Sequence, residues 1–148
     1  MKVVVQKCLE SSVFVDNDVV SSIGKGLMIL VGFNQDDKEE DIDYLVRKVV
    51  NLRVFEDLDG IMNRSVLDES GEILCISQFT LYGDCRKGNR PSYIEAMKGP
   101  SAVRFYDLFC ERLNNYVPTK KGVFGADMKV SLINDGPTTI IIDSKKEH

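Results

Sequence analysis

Histidine is almost absent from this sequence: the single one, His148, is the last of 148 residues. Chain ends fray, so a buried Ser-His or Cys-His couple is excluded, and triad hydrolysis with it. Cysteine is sparse as well. Cys8, Cys75, Cys85 and Cys110 are scattered without a C-x-x-C pair, a pattern unlike a structural zinc site or a disulfide framework. They read as reduced thiols that mostly serve packing. No run approaches the ~20 apolar residues of a membrane span, and the opening apolar run is too short for a signal peptide, so a soluble, cytoplasmic protein is expected. Neither G-x-x-x-x-G-K-[ST] nor a strand-borne G-x-G-x-x-G occurs, and Gly24-Lys25-Gly26 reads as a turn before a strand. No metal and no cofactor are expected.

An excess of positive charge is also missing. Nineteen basic residues stand against 23 acidic ones, a net charge of −4, which removes any general attraction to a polyanion. A nucleic-acid substrate would need a local basic patch. The candidates are Arg86-Lys87-Gly88-Asn89-Arg90, Lys120-Lys121 and Lys145-Lys146, each of which also reads as ordinary solvated surface.

What is present is ordinary globular composition, 43% hydrophobic and 28% charged, in a length that suits one domain over residues 1–148. Val3 to Lys7 reads as a strand, and Ser12 to Val15, Asp16-Asn17-Asp18 and Val19-Val20 read as a hairpin. The apolar run from Gly26 to Phe33 reads as a strand covered on both faces. Spacings of three and four among Ile42, Leu45, Val46, Val49 and Val50 predict an amphipathic helix between Asp37 and Asn51. A second helix is predicted from Ser101, as N-cap, to Tyr116, ending before Pro118. Ile73 to Phe79, Met128 to Ile133 and Thr139 to Ile142 complete the strands. Strands outnumber helices without alternating with them, which indicates α+β with a largely antiparallel or mixed sheet.

Two segments carry chemistry. Ser77-Gln78-Phe79-Thr80-Leu81 ends an apolar strand, so its side chains and amides either bind a carbonyl or ribose or satisfy local backbone groups. Asn134-Asp135-Gly136-Pro137-Thr138-Thr139 lies between two apolar runs. It reads either as a tight connection or as a rigid turn that aims carbonyl oxygens at a substrate. With almost no imidazole, catalysis must rest on hydroxyls, amides, main-chain groups and the substrate itself.

SQFTL at 77–81 together with NDGPTT at 134–139 resembles the paired signature motifs of the D-aminoacyl-tRNA deacylase family. The likeness covers nearly the whole chain, including VVQKCLESSVFVDN, GKGLMILVG, RPSY and FGADMKVSLINDGP. Thr138 is a departure, because family members often carry Val there. The resemblance implies a barrel-like fold and hydrolysis of the ester of D-aminoacyl-tRNA, with glycyl-tRNA a further substrate. It also implies a homodimer in which a cis Gly136-Pro137 bond enters the partner's pocket and excludes L-amino acids. Gln78, Phe79 and Thr80 become the catalytic segment, Gly136 and Pro137 the chiral filter, and Ser77 and Thr138 substrate-binding positions. Thr80 lacks a histidine to deprotonate it and is read as a positioning group, with the ribose 2'-hydroxyl assisting cleavage. The alternatives are a sister deacylase that takes small L-amino acids, and a non-catalytic nucleic-acid-binding module.

Overall fold

The computed structural model describes residues 1–146; His148 lies outside them. In chain order the elements are β1 (Lys2–Val15), β2 (Asp18–Ile23), β3 (Gly26–Gly32), α1 (Glu39–Asn51), β4 (Phe55–Glu56), β5 (Met62–Arg64) and β6 (Glu72–Ser77). A 3-10 turn (Phe79–Tyr82), α2 (Gly99–Asn114), β7 (Thr119–Lys121) and β8 (Lys129–Asp143) follow.

The main sheet runs β2-β1-β3-β6-β7, with β8 also paired to β1. Pairings of β3 with β6 and of β6 with β7 are parallel; the others are antiparallel, so the sheet is mixed. Its two ends nearly meet. The Ser21 hydroxyl donates to the Lys121 carbonyl at 2.6 Å and the Lys120 ammonium donates to the Ser22 carbonyl at 2.7 Å, so side chains of β2 and β7 span the remaining gap. The result is an α+β fold around an almost closed barrel.

Side-chain alternation explains the uninterrupted apolar strands. Leu27, Ile29 and Val31 of β3, with Ile73 and Cys75 of β6, face the helices and pack with Ile42, Leu45, Val49, Phe105, Tyr106 and Phe109. Met28, Leu74 and Ile76 point the other way, into a smaller cluster with Cys8, Val13 and Ile23. At ~25 cal/mol per Å² these two faces supply the main drive for folding. Helix α1 opens with Glu39, Glu40 and Asp41, and the Asp41 carboxylate accepts the Lys38 amide at 2.8 Å. Acidic side chains there complement the helix dipole.

Several expected boundaries move. The strand at Val3–Lys7 and the first arm of the hairpin are one bent strand, β1, because β8 pairs along almost all of it while β3 and β2 divide its other edge. Asp16 and Asn17, at φ 50° and 69°, form the hairpin tip. Helix α2 starts two residues before Ser101, at Gly99, whose φ of 59° favours glycine. Phe79 leaves the strand for the 3-10 turn. Most consequentially, the stretch from Asn134 to Thr139 does not connect two strands. Both flanking runs pair antiparallel with β1 in the same direction, so it is a bulge within one long strand.

Candidate functional site

β6 ends at Ser77 because the chain turns there. The Gln78 amide still donates to the Val31 carbonyl at 2.7 Å, and the next residues close the 3-10 turn, with the Leu81 amide donating to the Gln78 carbonyl at 3.2 Å. The first residues of such a turn have no helical acceptor. The amides of Phe79 and Thr80 meet no other acceptor among the described residues. The Gln78 carboxamide donates to the Thr80 hydroxyl, tying two of the expected site residues together. Phe79 stands 54% exposed and meets Tyr93 edge-on, ring centroids 5.0 Å apart.

Ser77 and Phe79 line a cavity of about 210 Å³ with Phe33, Met97, Lys98, Gly99 and Phe124 among its other walls. Most of this surface is apolar or aromatic, suited to a flat ring. Lys98 and the start of α2 make its mouth electropositive. Lys98 is the one ionisable group on the lining, so the cavity can bind and orient but holds no general base. The Thr80 hydroxyl faces an amide rather than a base, which leaves it unactivated as a nucleophile.

The second segment is an elbow laced from within. The Asn134 carboxamide accepts the Thr138 amide at 3.1 Å and donates to the Thr139 hydroxyl at 3.1 Å. The nearly buried Lys7 ammonium reaches Asp135 at 3.8 Å. The Gly136-Pro137 bond is cis, and Gly136 has φ 123°. A Cβ on Gly136 would come within 2.5 Å of the Thr138 hydroxyl. Gly136 and Pro137 are exposed, whereas Thr138 is buried and its hydroxyl has no partner among the described residues. Below the elbow, burial pushes the Cys8 thiol up to about 11, so Cys8 is a packing group. Cys75 and Cys110 are buried too, and all four cysteines are free.

The fold does not bring the two segments together. Gly136 and Pro137 lie level with Lys7 on β1, flanked by the pairs Gln6 with Thr139 and Cys8 with Asn134. Ser77 lies level with Val3, through Val31. About four residues along the strand and three strand spacings across the sheet separate them. Neither Gly136, Pro137 nor Thr138 lines the 210 Å³ cavity. Sequence reasoning also missed Tyr93, Met97, Lys98 and Phe124. RPSY held Tyr93 and FGADMKVSLINDGP held Phe124, neither with a role; Met97 and Lys98 lay outside the quoted segments.

A family model described as D-Tyr-tRNA(Tyr) deacylase matches residues 4–143. A solved structure described as a c-Myc DNA unwinding element binding protein superposes with a TM-score of 0.92 at 44% identity, over 97% of this chain and 98% of that one. A second, described as a probable eukaryotic D-amino acid tRNA deacylase, gives 0.82 at 18% identity over 95% and 97%, a likeness of fold. With the match spanning both the SQFTL turn and the Gly136-Pro137 elbow, the chain belongs to the D-Tyr-tRNA(Tyr) deacylase family, hydrolases that act on D-aminoacyl-tRNA.

Proposed function

We propose that two copies of this chain form a homodimer with two equivalent composite sites, the elbow of each entering the cavity region of the other. The observation that carries this reading is the separation of the two family segments within one chain. A site that needs both must take one from a partner. The cavity's size supports it, since about 210 Å³ is below the ~300–1,000 Å³ usual for small-molecule sites and leaves further walls to be supplied.

In the assembled site the terminal adenosine of tRNA sits against Phe79, and Ser77 and Gln78 orient the ribose and ester. The free amides of Phe79 and Thr80 donate to the ester carbonyl oxygen as it becomes negative. The carbonyl oxygens of Gly136 and Pro137 stand against the α-carbon, where hydrogen or a D-directed side chain fits and an L-side chain clashes. Rejection by a rigid wall accounts for strict chirality with broad side-chain tolerance, glycine included. Thr138 acts from beneath, holding the elbow's shape. Water attacks the carbonyl carbon, the carbon–oxygen ester bond breaks, and the ribose 2'-hydroxyl relays the proton to the departing 3'-oxygen. Free amino acid and tRNA leave, in the cytoplasm. Thr80→Ala therefore keeps measurable turnover, and a substrate ending in 2'-deoxyadenosine is cleaved far more slowly at saturating enzyme.

Complementation tests the composite site. Gly136→Ala damages the elbow and Phe79→Ala the cavity. Unfolded and refolded together in equal amounts, they form mixed dimers with one intact site each, and activity returns to about a quarter of wild type. Two inactive variants that stay inactive after mixing sink the reading.

A second reading is favoured by one finding: the 44%-identical structure is described as a DNA-binding protein. On it the chain is a non-catalytic nucleic-acid-binding module. Deacylation assays with D-tyrosyl-, glycyl- and L-alanyl-tRNA separate the two and also expose a preference for small L-amino acids. A chain that binds single-stranded DNA but cleaves none of the three esters belongs to the second reading.

A further inference from the structure

Eight surface cations of this acidic chain outside one loop are neutralised in ion pairs. Lys25 and Arg64 pair with Glu69, Arg104 and Arg112 with Glu39, Lys120 with Glu72, Lys121 with Asp107, Lys129 with Asp127, and Lys145 with Asp37 and Asp41. Lys120-Lys121, one of the basic clusters in the sequence, is thus spent on closing the barrel. The loop from Asp84 to Ser92 differs. Its ends are joined by reciprocal backbone hydrogen bonds of 2.8 and 2.9 Å between Asp84 and Ser92. Arg86 folds back onto Asp84, donating from Nε at 2.9 Å and from Nη2 at 2.7 Å, and so stiffens the loop's first half. Lys87 and Arg90 are exposed and, among the described residues, make neither an ion pair nor a side-chain hydrogen bond. Together with Arg86 they line a shallow concavity of about 410 Å³ whose single carboxylate is the already paired Asp84.

The loop is fastened to the candidate site. Pro91 and Tyr93 pack on Gly83, at the end of the 3-10 turn, leaving a Cβ there only 3.4 and 3.1 Å from them. Tyr93 also contacts Phe79, a wall of the 210 Å³ cavity. The loop therefore rests, through Tyr93, on a wall of that cavity.

We propose that Lys87 and Arg90 bind backbone phosphates of the tRNA acceptor end, with Arg86 holding the loop in shape. This rests on the deacylase reading above and adds where the rest of the substrate lies. RNA is favoured over an acidic polypeptide because the loop packs, through Tyr93, on a wall of the cavity assigned to the terminal nucleoside, and because cations with few fixed partners suit the regular charge of a phosphodiester chain. Each phosphate contact adds about one to the slope of log Kd against log salt concentration.

The test uses the full chain and an RNA hairpin ending in a single-stranded CCA, with binding followed by anisotropy at several salt concentrations. In the double variant Lys87→Ala/Arg90→Ala the salt slope falls by about 2 and affinity drops roughly tenfold or more at low salt. The ratio of kcat/KM for D-tyrosyl-tRNA to that for D-tyrosyl-adenosine falls roughly tenfold, through KM. An unchanged slope overturns the proposal, as does a poly-glutamate peptide that displaces the hairpin at equal charge concentration. If wild type cleaves neither ester, the deacylase reading fails, while the salt slope still decides what the loop does.

Discussion

At the scale of single residues, Gly136 and Thr138 define the elbow in opposite ways. Gly136 is exposed yet irreplaceable in geometry, since its φ of 123° and the 2.5 Å approach to Thr138 both exclude a side chain. Gly136→Ala is expected to keep the fold, by circular dichroism and Tm, while kcat/KM for D-tyrosyl-tRNA drops about 100-fold, the usual cost of a misplaced wall. Thr138 is buried with an unpaired hydroxyl. Thr138→Val removes that group without changing shape. It should stabilise the protein by about 1 kcal/mol, or roughly 2–4 °C in a calorimetric scan. A fall in Tm would mean that the hydroxyl has a partner after all. The residue types here were legible in the sequence; the burial of one and exposure of the other were not, because they depend on which side of β1 the bulge leaves.

At the scale of elements, the loops around the cavity are held by side chains that do not line it. The Tyr106 hydroxyl on α2 donates to the Cys75 carbonyl at 2.6 Å and accepts the Gly122 amide at 3.2 Å, and its ring lies 6.0 Å from that of Phe124, a cavity wall. Burial pushes this phenol's pKa up, so it stays neutral. Tyr106→Phe should cost about 1–3 kcal/mol in thermal or denaturant unfolding, and should raise KM as Phe124 loosens. The Asp84 loop makes a prediction about pH. Hydrogen bonds from Arg86 hold the Asp84 carboxyl down at about 2. A depressed acid contributes stability above its unfolded pKa, about 3.9, and loses it as pH falls toward the folded value. The loop should therefore keep its shape at pH 4 and above and loosen between about 4 and 2. Carboxyl NMR should place the Asp84 midpoint near the low end, with Arg86→Gln raising it toward the ordinary range while the backbone hydrogen bond from residue 86 remains; an unmoved midpoint would remove the Arg86 side chain as the cause. Helices and two-face-buried strands were readable because periodicity reports burial directly. β8 was not, because a Gly-Pro pair reads the same in a turn and in a bulge, and β1 was not, because its partners change along its length.

At the scale of the molecule, β8 is a 15-residue strand paired on one side, to β1, and it carries the elbow. Ile133, next to the elbow, is 50% exposed. If the elbow enters a partner, Ile133→Lys places a charge at the contact. Sedimentation velocity should then show dissociation at concentrations where wild type is dimeric, with activity falling on dilution. An unchanged sedimentation coefficient counts against an interface through β8. The amino-acid sequence alone determined the α+β class, the apolar faces of α1, α2, β3 and β6, and, through SQFTL and NDGPTT, the family. These are properties of composition and short-range order, which survive in one dimension. Tertiary structure alone decided that the two motifs stand on strands three places apart in the sheet, that Met97, Lys98 and Phe124 meet around one cavity, and which cations remain unpaired. Each depends on strand register and on distant residues meeting in space, and a list of neighbours along the chain contains neither.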